Sequence, residues 1–74
     1  MSNRQTGEAA YTEYAVEVNN ENGFVFQIDT FRTLEAAESF AERNKGIVEK
    51  NEYLNIIYID YDTNGDEIRF GTVC

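Results

Sequence analysis

Two Asn-Gly steps, Asn22-Gly23 and Asn64-Gly65, constrain this chain more than any other feature. Such a step between alternating apolar residues is a strong local signal for a β-hairpin, because Asn tolerates and Gly accepts a positive φ. Before the first step, Tyr14, Val16 and Val18 alternate with Glu13, Ala15 and Glu17. After it, Phe24, Phe26 and Ile28 alternate with Val25, Gln27 and Asp29. A two-residue Asn22-Gly23 turn would pair Val18 with Gln27 and mix the faces. A three-residue loop, Glu21-Asn22-Gly23, pairs Val18 with Phe26 and Val16 with Ile28, and is the better choice because register follows the buried face. Around the second step, residues 56–61 (IIYIDY) and 67–73 (EIRFGTV) read as strands. A two-residue turn there pairs Tyr61 with Ile68, Ile59 with Phe70 and Ile57 with Thr72, all facing the core. Asp60 then stands opposite Arg69 as a cross-strand pair.

Between the hairpins the period changes. Leu34, Ala37, Phe40 and Ala41 form an apolar stripe at helical spacing over residues 33–45. Thr33 suits the N-cap, and Glu35 lies where the helix dipole favours an acid. Arg43 and Lys45 lie in the last turn, with Gly46 as a stop. Residues 47–55 (IVEKNEYLN) fit a loop, a short helical turn or a bent strand entry. The expected fold is α+β, in the order β-β-α-β-β: an antiparallel four-stranded sheet with one helix packed on one face. The absence of proline suits continuous strands. Residues 1–10 (MSNRQTGEAA) have no periodicity and read as a flexible tail before a single domain over 11–74. They carry no charged-then-apolar leader, and no stretch is apolar enough to span a bilayer.

The stretch DYDTNGDEI (60–68) imitates the first half of a calcium loop, with Asp60, Asp62, Asn64 and Gly65 at matching positions. The loop's closing glutamate is missing, since Gly71 stands at the twelfth position, and the flanks are strand-like. A hairpin tip is therefore the reading preferred to a small calcium-binding domain centred on Asp60, Asp62, Asn64 and Asp66. Catalysis has little to work with. There is no histidine, and the single cysteine, Cys74, is terminal and has no base to activate it. No phosphate-cradling glycine loop appears, and 74 residues leave little room for a deep cleft beside a core. Neither an enzyme nor a cofactor is expected. A lone thiol fits a reducing cytosol.

Fourteen acids against six bases give a net charge of −8. That balance opposes direct nucleic-acid binding and attraction to an anionic membrane. The hairpins hold the excess: residues 11–31 carry −4 and residues 56–74 carry −3, while the helical region is neutral. On the alternation above, Glu13, Glu17, Asp29, Asp60, Asp62 and Glu67 project away from the core, with Arg69 as their one base. Asp66 lies at the hairpin tip. Glu35, Glu38 and Glu42 line the solvent side of the helix. Alternate strand residues lie about 6.8 Å apart on one face, close to the spacing of successive phosphates on a DNA strand. Ala15, Val25, Ile56, Tyr58 and Val73 project the same way, so the acids surround apolar groups, as at a protein-binding surface. The bland alternative is a solvated face that keeps a small domain soluble.

In size, charge and lack of histidine, and in the carboxylates Glu13, Glu17, Asp29, Glu35, Glu38, Glu42, Asp60, Asp62, Asp66 and Glu67, the chain resembles the small acidic DNA-mimic proteins that phages make early in infection. FRTLEAAESFA (31–41) after a strand pair is also similar to the helix of many short phage β-β-α proteins. The resemblance is one of class and assigns no role to an individual residue. It implies a DNA-mimic inhibitor in the cytoplasm of an infected bacterium, blocking a basic host DNA-binding protein. Proteins of that class act on uracil-DNA glycosylase, restriction enzymes, Cas nucleases or the nucleoid protein HU. HU is slightly preferred because its DNA binding is mostly backbone and deformability readout. The same patch would also serve a homodimer. A generic protein-interaction domain is the remaining alternative.

Overall fold

The structure, a computed structural model, describes residues 9–73. The order is β1 (Tyr11–Asn20), β2 (Gly23–Phe31), α1 (Leu34–Arg43), a short 3-10 turn (Lys45–Ile47), β3 (Glu52–Tyr61) and β4 (Glu67–Thr72). The four strands form one antiparallel sheet in the order β2-β1-β3-β4. The α+β architecture is therefore the one the periodicities indicate. The expected tail over 1–10 lies mostly outside the described residues, but Ala10 donates its N–H to the Tyr61 carbonyl at 2.8 Å, extending the β1–β3 pairing.

The hairpins keep their expected pairs near the middle and differ at their ends. Val18 faces Phe26, but Val16 faces Asp29 rather than Ile28. The turn itself is tighter than the three-residue loop: Asn20 pairs with Gly23, and register shifts after Val16 and Val18 take up the extra residues. Asn20 Oδ1 accepts from the Asn22 N–H at 2.8 Å, and Gly23 takes φ 114°, a region open to glycine. In the second hairpin Asp60–Arg69, Ile59–Phe70 and Ile57–Thr72 pair as expected, whereas Tyr61 faces Glu67 and not Ile68. The turn is wider than Asn64-Gly65. Gly65 donates to the Asp62 carbonyl at 3.0 Å and takes φ 86° at the turn's end, so one residue must bulge to restore the ladder.

Thr33 caps α1 as expected, its Oγ1 accepting from the Ala36 N–H at 3.1 Å. The helix stops earlier than Gly46. Asn44 ends it by donating its side-chain amide to the Phe40 carbonyl at 2.8 Å, and its backbone N–H to the same carbonyl. Gly46 lies inside the 3-10 turn without a positive φ. Glu52 begins β3 four residues before the apolar run, because all of β1, ten residues long, offers it a hydrogen-bonding partner.

The pairing of β1 with β3 overturns the expected facing of the second hairpin. Val16 stands opposite Ile56 and Tyr14 opposite Tyr58, and directly opposed residues share a face. Phe31, opposite Tyr14, meets Phe40 of α1 with ring centroids 5.2 Å apart, so α1 covers this face. Ile56, Tyr58, Asp60 and Arg69 thus lie on the helix side, not outward. Ile57, Ile59 and Phe70, expected in the core, lie on the open side with Glu13 and Glu17. The core is thin. Among the described residues only Ala15, Val16, Val18 and Ala37 are buried apolar groups.

Candidate functional site

The candidate carboxylates are spread over several parts of the fold rather than one face. Glu13 and Glu17 are half-buried on the open side of β1, two strand repeats apart, with exposed Glu67 opposite Tyr61 near the edge of the same side. Glu35, Glu38 and Glu42 are exposed along α1. At 1.5 Å per residue they rise about 4.5 and 6 Å apart along the helix axis. Glu42 is held by Lys45 at 2.9 Å, which raises the Lys45 ammonium above its ordinary pKa. Asp29 is exposed on edge strand β2, one oxygen accepting from the Thr30 N–H at 2.8 Å.

Asp60 and Asp62 do not form the outward ladder that their spacing suggests. Asp60 is 8% exposed. Thr12 Oγ1 donates to its Oδ1 and Arg69 Nε to its Oδ2, each at 2.6 Å. Both are short charge-assisted bonds, so this carboxylate holds β1, β3 and β4 together. Asp62 Oδ1 accepts from the N–H groups of Asn64 and Asp66, both at 2.9 Å, which is the Asx-turn chemistry of a hairpin tip. Asp66 is exposed beside it. Among the described residues, no three acidic, cysteine or histidine side chains converge as a metal cage would require. Among the described residues, no helix is long and apolar enough to cross a membrane.

What the alternation missed is an aromatic platform on the open side. Tyr11 and Tyr61 stack there with centroids 4.9 Å apart and planes 16° from parallel. Phe24 on β2 and Phe70 on β4 stand 62% and 65% exposed. Between them a groove of about 450 Å³ crosses the sheet over Glu17, Asn19, Asn55, Ile57 and Thr72. The signal was present in the doubly apolar run Ile56-Ile57-Tyr58-Ile59, which has enough apolar residues for two faces.

Electrostatics marks the platform too. Partial burial raises the Tyr61 phenol above its ordinary pKa of 10.0, and Glu13, which accepts from the hydroxyl, raises it further, with smaller contributions from Glu67 and Tyr11. A titration that resolves Tyr61 should therefore show it ionising above its ordinary value, and Glu13→Gln should lower it. A phenol raised by folding contributes stability that is complete below its unfolded pKa. That contribution is lost as pH rises through the folded value, so the effect is confined to the alkaline limb. Ionisation of Tyr61 at or below its ordinary value would refute it.

The chain matches no protein-family model, no curated protein and no solved structure.

Proposed function

We propose that this protein is a non-enzymatic DNA mimic, which occupies the basic DNA-binding surface of a host protein and excludes DNA, with an HU-like nucleoid protein as the preferred target. The observation that carries the reading is the net charge of −8 on a 74-residue chain whose carboxylates mostly remain at the surface. Glu13, Glu17, Asp29, Glu35, Glu38, Asp66 and Glu67 stay at least partly exposed, while Asp60 is taken up by the fold. Asp60 leaves the set of contact residues, and Asp62 acts first as a turn former. Charge complementarity of this kind speeds association and makes it sensitive to salt.

The test is competition. Purified HU bound to a labelled DNA duplex should release the duplex as this protein is added, and the release should weaken as ionic strength rises. A ternary complex, or binding that is indifferent to salt, would refute mimicry. A generic interaction domain is favoured by one observation, the exposed aromatic platform, and predicts capture of a partner that DNA does not displace.

A further inference from the structure

The open side of the sheet combines features that acidity alone does not explain. Phe24 and Phe70 rise on the two edge strands and wall the groove over Glu17, Asn19 and Ile57. Asn19 Oδ1 is buried there and has no hydrogen-bond partner among the described residues. Buried acceptors without partners are uncommon and costly, so Asn19 is a polar group beneath this groove that the fold leaves unsatisfied. The carboxylates of Glu13 and Glu17 lie along β1 on the same side. No lysine or arginine occupies an open-side position of any strand, because the only strand cation, Arg69, stands opposite Asp60 on the helix side.

We propose that this face, rather than α1, is where the partner docks, and that it seats a segment carrying an apolar side chain flanked by lysine or arginine. The apolar group enters between Phe24 and Phe70, and the cations meet Glu17 and Glu13. The inference rests on the proposed basic partner and specifies the surface used. Charge complementarity selects this occupant over a second copy of the chain. Face-to-face copies would set Glu13, Glu17 and Glu67 against their own equivalents, with no lysine or arginine at an open-side position of the described strands. Carboxylates desolvated without partners oppose such an interface strongly. A basic segment converts the same groups into ion pairs around an aromatic anchor, the arrangement typical of interface hot spots.

Two synthetic peptides of equal length and charge test it, one alternating lysine with leucine and the other lysine with serine. Titrated into isotope-labelled protein, the leucine peptide should bind about tenfold or more tightly than the serine peptide. It should shift the amide signals of Glu17, Phe24, Ile57 and Phe70. Because Phe70 is mostly exposed, Phe70→Ser should keep the fold and weaken the leucine peptide about tenfold. The double variant Glu35→Gln/Glu38→Gln should change it by no more than about twofold. Equal affinity for both peptides, shifts confined to α1, or a sedimenting dimer that closes this face would each overturn the proposal. Failure to displace DNA from HU would instead overturn mimicry and leave the peptide result standing, so the two readings fail separately.

Discussion

Replacing Asp60 with lysine is expected to leave the domain largely unfolded at room temperature. The carboxylate is nearly inaccessible and receives short hydrogen bonds from Thr12 and Arg69, whose side chain is 37% exposed. Removing one partner of a fully buried pair costs about 3–5 kcal/mol. With Arg69 partly solvated, about 2–3 kcal/mol is the better figure for Asp60→Ala, since water screens the charge left behind. Asp60→Asn keeps an acceptor for Thr12 and should lose less. Lysine adds a second cation beside the guanidinium and removes both acceptors. Against a total stability of about 4–11 kcal/mol for a chain of this length, that loss is a large fraction. Denaturant melts of the three variants check the order Asn, Ala, Lys, and an alanine variant within about 0.5 kcal/mol of the parent would contradict it. Lost binding in an Asp60 variant would therefore report lost structure rather than a lost contact.

The second large effect concerns Ala37, the one fully buried residue of α1. The helix lies on the sheet through this methyl group, with the Phe31–Phe40 ring contact nearby. Ala37→Leu forces extra methylenes into a filled site and should cost about 1–3 kcal/mol. Ala37→Glu would bury a charged carboxylate in a fully enclosed site and should cost more. The loss should be local in character. Because β1 and β3 pair along their whole lengths, their amides should stay protected from hydrogen exchange after those of α1 have lost protection. Uniform loss across helix and sheet would show that docking of α1 and formation of the sheet are one cooperative event.

Both cases show how differently local and long-range information are written in this chain. The Thr33 cap depends on one hydroxyl and the backbone three residues ahead, so it could be read from TLEA. The pairs Val18–Phe26 and Ile59–Phe70 depend on turns close in sequence and were also legible. The bulges were not, because Asn-Gly is compatible with more than one loop length and the choice is made by the whole ladder. Asp60 was assigned its cross-strand partner Arg69 correctly and its side of the sheet wrongly. The hairpin defines which residues share a face but carries no label saying which face meets the helix. The carboxylates on α1 needed only the helical period, whereas the groove between Phe24 and Phe70 needs two edge strands separated by the full width of the sheet.

The order β-β-α-β-β, the capped helix and the central pairs of each hairpin follow from the sequence by itself, through turn residues, period and caps that act over a few positions. Which face α1 covers was decided only in the tertiary structure. Ile56-Ile57-Tyr58-Ile59 is apolar on both sides, so alternation cannot orient it, and its facing is set when β3 pairs with β1 and brings Ile56 beside Val16. That one long-range register buries Asp60, exposes Phe70 and leaves Glu13 and Glu17 beside an aromatic groove, because shifting a strand by one residue moves every side chain to the other face.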